Sequence, residues 1–380
     1  MLSRTNDIQK APIQQLLSEV EIPRDTISLG QGIPFFGPPR EAIDAACSTL
    51  HNLYSYTSDA GSFELLEAIS RKLRRENGLT VDPNRNIIVT SGANQAFINS
   101  LLAITKPRDD IILFSPVYFN HVMAVKLAAC NPIIIPAGED YLPSIDILQD
   151  SITSKTKAII TVSPNNPTGA VYPKTILREI NQICRDRGIY HISDEVYEYY
   201  IYDDAQHISP AIFDDTLEYT ITIFSFSKSF GMSGYRIGYI VTPFSVYDEI
   251  LKVQDTTTIC ASISSQAAAI KAIDIGRGYL ESFYPILKKI RNLFIEKLRL
   301  EDKIIFHITK GGYFFLLKLR TDLSDWEVSK RLIEGYRVIA LPGSIFYTSY
   351  PSLRVSYGNV NIEKAEEGLT RLTKGLRDIL

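Results

Sequence analysis

At 380 residues, 45% of them apolar, the chain is long enough for one large domain and a smaller companion, with ample material for a core. Its 40 basic and 43 acidic residues nearly cancel, and no long basic run leaves an electrostatic footprint for nucleic acid or an anionic membrane. The N-terminus MLSRTNDIQK lacks an apolar h-region, no apolar run approaches a membrane span, and Cys47, Cys130, Cys184 and Cys260 form no Cys-x-x-Cys pair, so a soluble cytoplasmic protein with reduced thiols is expected.

The first 45 residues hold Gly30, Gly32, Pro34, Gly37, Pro38 and Pro39 and read as a loop that drapes over another part of the molecule. Their Gly-x-Gly is not a dinucleotide turn, because Phe35 stands where a third glycine is needed and no strand–turn–helix frames it. Short β-rich runs then alternate with longer amphipathic stretches. Strands are expected at 86–90, 110–114, 132–135, 157–162, 189–193, 220–224 and 236–241, and helices at 93–104, 119–129 and 173–187. That alternation predicts an α/β fold whose mostly parallel central sheet is covered by helices and takes ligands at the carboxyl ends of its strands. After about residue 245 the pattern turns helical, and a shorter β/α stretch follows over 303–380. The expected division is a large domain over 46–280 and a smaller α/β domain built from 1–45 and 281–380.

Several strand ends carry chemistry. Ser91-Gly92-Ala93-Asn94-Gln95 opens a helix with small residues, which leaves backbone N–H groups free for an anion, although the same pattern serves as a plain turn. In VSPNNPTG (162–169), Asn166 precedes Pro167 and is held non-helical on a tight turn. In SDEVYEYY (193–200), Asp194 leaves a buried strand with Tyr197 three residues on; a carboxylate there needs a partner, or caps a helix. Lys228 follows the apolar run TITIF in SFSKSFGMSGYRIGYI, with Arg236 eight residues later. Desolvation lowers a lysine's pKa and turns its amine into a nucleophile towards carbonyls, and a fixed guanidinium nearby both disfavours its protonation and suits a phosphate. Ser225-Phe226-Ser227-Lys228 also fits the Ser-x-x-Lys of penicillin-binding enzymes. The chain has no Lys-Thr-Gly and only Ser193-Asp194-Glu195 in place of Ser-Asp-Asn, so acyl transfer is set aside. His51, His121, His191, His207 and His307 show no metal spacing and are read as satisfied structural histidines, and no metal site is expected.

In their order, Gly92-Ala93-Asn94, Tyr118 in SPVYF, Asn166 in NNPTG, Asp194 and Tyr197 in SDEVY, Lys228 in SFSKSFG, Arg236 in GYRIGY and Arg354 in LRVSYGN resemble the class I/II aminotransferases. These are pyridoxal-phosphate enzymes of fold type I, and the resemblance runs from ISLGQGIP at 27 to the last helix. It implies that Lys228 forms the Schiff base with pyridoxal 5'-phosphate and then acts as acid and base, that Asp194 pairs with the pyridinium nitrogen, and that Tyr197 and Asn166 hydrogen-bond the ring's phenolate oxygen. Tyr118 would stack on the ring. The phosphate would rest on Ala93, Asn94, Ser225, Ser227 and Arg236, with Tyr56 lent by the partner of a homodimer with shared sites. Arg354 would grip the α-carboxylate of an amino acid or 2-oxo acid, under Gly32 and Ile33.

Three features depart from the commonest family pattern. The phosphate turn reads Gly-Ala-Asn, the segment IPFFGPP carries adjacent phenylalanines, and no second arginine is assignable for a dicarboxylic side chain. Aspartate is therefore not favoured over aromatic or basic substrates. The alternative to amino-group transfer is elimination or cyclisation on the same scaffold, acting on a substituted amino acid such as a hydroxylated arginine. A regulatory role would need a DNA-binding segment, and none is present.

Overall fold

The computed structural model describes residues 5, 6 and 8–380; residues 1–4 and 7, within the N-terminal stretch discussed above, lie outside the described residues. Seven strands form the central sheet: β1 (Ile87–Thr90), β2 (Asp110–Ser115), β3 (Asn131–Pro136), β4 (Thr156–Val162), β5 (Tyr190–Asp194), β6 (Thr220–Ser225) and β7 (Gly238–Val241). Their order is β1-β7-β6-β5-β4-β2-β3. β7 runs against both of its neighbours, and every other pairing is parallel. β1 and β7 are buried at every position, and β2, β4, β5 and β6 at all but one. Such continuous apolar runs are what a sheet covered on both faces requires. β3 is the exception, half-exposed at the edge, and Pro132 and Pro136 withhold donors from a further strand there.

The connecting helices include α1 (Ala93–Ile104), α2 (Phe119–Leu127) and α3 (Lys174–Arg187). Each follows a strand whose carboxyl end it helps to place. α3 shows the local logic: Leu177, Ile180 and Cys184 fall on one buried face, and Gly188 in the left-handed region ends the helix. A second, antiparallel sheet holds β8 (Ile304–Phe306), β9 (Phe314–Leu319), β10 (Leu341–Pro342) and β11 (Ser352–Ser356), in the order β10-β11-β9-β8. Ile27–Ser28 pairs in parallel with Val338–Ile339, which carries the N-terminal segment across to this sheet. Among the described residues no helix is long and apolar enough to cross a membrane.

Two local expectations are corrected. The first 45 residues are not all loop: Pro12–Ser18 is helical, with proline in its first turn, and Arg40–Ser48 begins a second helix. The strand expected at 236–241 begins at Gly238, because Arg236 takes φ 52°, ψ 60°, a left-handed conformation that no ladder accepts.

One buried ion pair ties the helix Phe63–Lys72 to the segment that follows β5. Lys72 donates to both carboxylate oxygens of Glu198 at 2.6 Å and to Asn77 Oδ1 at 2.9 Å, and its ammonium lies over the Phe224 ring. Lys72→Ala leaves the Glu198 charge buried without a countercharge, with only the Asn77 amide donating to it at 3.0 Å, so unfolding in denaturant is expected to lose about 3–5 kcal/mol. A loss below about 1 kcal/mol would show that water already solvates the pair.

Candidate active site

The carboxyl ends of β4, β5 and β6 lie side by side, with Val162 opposite Asp194 and Asp194 opposite Ile223. The antiparallel β7 starts at the same edge, where Gly238 faces both Thr90 and Ser225. A strand running the wrong way thus brings Arg236, two residues before its start, to the end where its parallel neighbours finish. There a cavity of about 270 Å³ opens. The thirteen positions from Gly32 and Ile33 through Ala93, Asn94, Tyr118, Asn166, Asp194, Tyr197, Ser225, Ser227, Lys228 and Arg236 to Arg354 all line it. Gly92 lies directly behind the wall. Tyr56 does not reach the cavity of its own chain and is 75% exposed.

One end of the cavity is built for an anion. No side chain caps α1, so the N–H groups of its first turn face the space with the positive end of the helix dipole. Gly92 holds φ +89°, and a Cβ there would stand 2.5 Å from Arg236 Nη2, so only glycine lets the guanidinium lie across the turn. Arg236 is fixed by donating to the Ser233 carbonyl at 3.0 Å. The Ser225 hydroxyl caps the helical turn Phe226–Ser229 by accepting from Ser227 N at 3.1 Å, which leaves its own proton to donate.

Lys228 rides on that short turn. Its carbonyl accepts from the Tyr200 hydroxyl at 2.8 Å, and its Nζ donates to the Gly32 carbonyl at 2.7 Å. Burial first, then the Arg354 and Arg236 charges, lower its pKa to about 8, against a partial opposing pull from Asp194. Asp194 is buried; its Oδ2 lies 3.0 Å from His121 Nε2 and its Oδ1 accepts from Val196 N at 3.2 Å. Tyr197 is buried edge-on against Tyr313 and Phe314, and burial pushes its hydroxyl pKa up. Tyr118 accepts from Asn120 Nδ2 at 2.8 Å and meets the His121 ring edge-on.

The other end belongs to Arg354, at the middle of β11 opposite Leu316 and Leu341. Its guanidinium is buried between the Phe314 and Phe346 rings, 4.7 and 5.1 Å away. Nη1 donates to Asn166 Oδ1 at 3.1 Å and Nη2 to the Gly30 carbonyl, while Nε has no partner. Asn166 is presented by a turn that Asn165 builds, its Oδ1 accepting from Thr168 Oγ1 at 2.8 Å and its carbonyl from Gly169 N at 2.8 Å. Among the described residues no carboxylate touches Arg354, and burial lowers its pKa to about 10. A cation held this way is incomplete until an anion joins it.

Sequence reasoning missed His121, grouped above with satisfied structural histidines. It stacks on Phe97 at 4.1 Å, and its Nδ1 is buried without a partner. Its place three residues after Tyr118, on the helix leading from a strand end, was the available signal. His207 likewise has an unpartnered Nδ1 and pairs with Glu195 at 2.8 Å. Ile13 and Phe119 also enter the cavity wall, and neither was singled out.

A cleft with a low-pKa lysine, a buried carboxylate on a histidine, an anion cradle and an unpaired buried arginine defines an enzyme that handles anionic carbonyl and amine compounds. Residues 24–372 match the family of class I and II aminotransferases. An aspartate aminotransferase of Pyrococcus abyssi is 34% identical over 100% of this chain and 98% of its own. An aromatic aminotransferase of Arabidopsis thaliana is 33% identical over 97% and 94%. The crystal structure of an aromatic aminotransferase from Pyrococcus horikoshii OT3 superposes with a TM-score of 0.89 at 34% identity, covering 96% of this chain and 99% of that one. The chain belongs to the aminotransferase class I and II family, with the fold type I architecture, and amino-group transfer is its chemistry.

Small amine reagents give a direct check on Lys228. Below pH about 8 its ammonium form dominates and acetylation by acetic anhydride is slow; above it the free amine reacts, well before an ordinary lysine at 10.5. Peptide mass spectrometry should therefore show a midpoint near pH 8 for Lys228, and a midpoint near 10.5 would mean that the side chain is solvated.

Proposed function

We propose that the cavity holds pyridoxal 5'-phosphate and that the chain exchanges the α-amino group between an L-amino acid and a 2-oxo acid. The carrying observation is Arg354, a buried guanidinium with no carboxylate of its own among the described residues, aimed into the same cavity as Lys228. The residues present fit the cofactor. The Gly92 turn leaves the space a Cβ would fill, the amides of Ala93 and Asn94 with Ser225, Ser227 and Arg236 suit its phosphate, and Asp194 backed by His121 suits a protonated ring nitrogen. Tyr197 and Asn166 offer hydrogen bonds to its phenolic oxygen, and Tyr118 a face for the ring. Bound there, the cofactor supplies a carbonyl for the substrate's amine and an electron sink that acidifies the substrate's Cα–H.

The chain's own residues do the rest. Arg354 takes the α-carboxylate through its two Nη groups, held in plane by Asn166 and Gly30. Lys228 Nζ moves the proton at the substrate's Cα, a task suited to an amine whose pKa lies near neutral pH. Asp194 lies beside the site's positive charge, and His121 fixes its orientation. Ile13, Ile33 and Phe119 keep water from the reacting bonds.

These apolar residues also bear on the donor. Among the described residues the cavity wall holds no cation besides Lys228, Arg236 and Arg354, so a dicarboxylic side chain finds no dedicated partner among them. We therefore place aromatic donors ahead of aspartate, although the relatives carry both names. Elimination or cyclisation finds no support in those names. The homodimer belongs to the same proposal. Tyr56 sits in a stretch where Leu50, Leu53, Tyr54 and Phe63 are also exposed, an apolar surface that suits a second copy and would carry Tyr56 to the partner's phosphate. The cytoplasmic placement and the division at residues 45 and 280 are proposed likewise; four free cysteines fit a reducing compartment, and the Ile27–Val338 pairing joins the two parts of the smaller unit.

Loaded protein mixed with one amino acid and no 2-oxo acid should release a single equivalent of 2-oxo acid per subunit and lose the cofactor's aldehyde-form absorbance. Aromatic amino acids should do so at lower concentration than aspartate. Repeated turnover without that spectral change would instead establish elimination or cyclisation. Arg354→Ala should raise the donor's KM on the order of 100-fold, the loss of a bidentate charge-assisted contact, while cofactor loading persists. Loss of the cofactor in that variant would move Arg354 out of the substrate's end of the site. Tyr56→Ala should weaken cofactor retention in a dimer seen by sedimentation; full retention in a monomer would refute the shared site.

A further inference from the structure

The loop that closes the cavity is held by almost nothing. Among the described residues, the Gly32 carbonyl is the one backbone group between Gly30 and Gly37 that takes part in a hydrogen bond. The ends are anchored, since the Gly30 carbonyl accepts from Arg354 and the Gly37 carbonyl from the Tyr279 hydroxyl at 2.6 Å. The Phe36 ring stacks on Phe283 at 4.2 Å. In between, two donors converge on the Gly32 oxygen. One is Lys228 Nζ at 2.7 Å, and the other is the Tyr313 hydroxyl at 2.9 Å.

Tyr313 is not in the cavity wall. It is fully buried behind it, just before β9, and its carbonyl accepts from Tyr357 N at 3.0 Å. Gly358 lies so close to its ring that a Cβ there would come within 2.5 Å. The ring meets Tyr197 edge-on at 5.4 Å and Tyr200 at 4.9 Å. A hydroxyl on so tightly seated a ring is a fixed point. Lys228, by contrast, leaves the Gly32 oxygen whenever its amine is engaged elsewhere.

We propose that Tyr313 is a positioning residue: its hydroxyl holds the Gly32 carbonyl, and through it the loop that orients Lys228 and Arg354. This rests on the reading of the cavity given above as an aminotransferase site, but its first test does not need the cofactor. When Lys228 is engaged, Tyr313 supplies the remaining hydrogen bond that keeps the loop's middle over the substrate. When Lys228 is free, Tyr313 competes for the oxygen that would otherwise serve the ammonium alone. Arg354 and Arg236 face Lys228 from β11 and from the turn before β7, Asp194 faces it from β5, and Tyr313 adds a neutral donor at the shared oxygen.

Tyr313→Phe deletes the hydroxyl and keeps the ring against Gly358. In cofactor-free protein the Gly32 oxygen then accepts from the ammonium undivided, which favours the charged form, so the acetic anhydride midpoint of Lys228 should rise by about 0.5 pH unit, a fraction of one hydrogen bond. Tyr357→Phe removes a hydroxyl from the same buried cluster without touching Gly32 and should leave the midpoint in place. In loaded protein Tyr313→Phe should raise the donor's KM roughly 5-fold with kcat changed less, because the loop positions Arg354 rather than the reacting atoms. An unchanged or lower midpoint in Tyr313→Phe, or an equal shift in Tyr357→Phe, overturns the proposal whatever reaction the loaded protein performs.

Discussion

A guanidinium buried without a carboxylate is the constraint around which this site is arranged. Arg354 lies in the interior of a sheet, sandwiched by two phenylalanine rings, and is satisfied only by an amide oxygen and a backbone carbonyl. Neither neutralises it. An isolated buried charge is tolerated when neutral dipoles and ring faces surround it and when a ligand's anion completes it. The same charge reaches Lys228, where it adds to burial in lowering the amine's pKa to about 8. Grip on the substrate and readiness of the lysine thus share one physical cause, a dry cavity with an excess of positive charge.

That cavity is assembled from three stretches of chain far apart in sequence. The strand ends of the central sheet supply Asn166, Asp194 and Lys228, the antiparallel sheet supplies Arg354, and the N-terminal loop lays Gly30 and Gly32 over both. The loop's contacts with both are backbone carbonyls meeting side-chain donors. Such contacts depend on where the chain passes, and only weakly on which residue passes there. The loop is consequently free to vary in its outward side chains, such as the exposed Gln31, without disturbing the donors beneath.

Much of this was legible in advance for a simple reason. In a parallel sheet the polar residue that ends an apolar run must face the ligand edge, so NIIVT-SGAN, IITV-SPNN, HIS-DEVY and TITIF-SFSK each announced a position and a chemistry. Helix α1 was read with its bounds because a glycine precedes it and a Lys-Pro-Arg stretch follows it. Arg236 was read as the first residue of a strand, since nothing local shows that β7 runs against its neighbours or that the residue takes a left-handed turn before it. His121 was passed over because its partner is a carboxylate on another strand, and no spacing along the chain records that.

By itself the sequence determined the alternation of strands and helices, the order of the polar strand ends and the presence of one lysine and one arginine in contexts unsuited to a solvated charge. These are properties of short segments, set by periodicity, turn chemistry and the high cost of burying a polar group. Only the tertiary structure decided that Arg354 has no carboxylate partner among the described residues, that His121 backs Asp194, and that Lys228 and Tyr313 share the Gly32 oxygen. Those facts concern atoms separated by tens to hundreds of residues. They exist because folding excludes water from one place and leaves each donor only the acceptors that happen to be there.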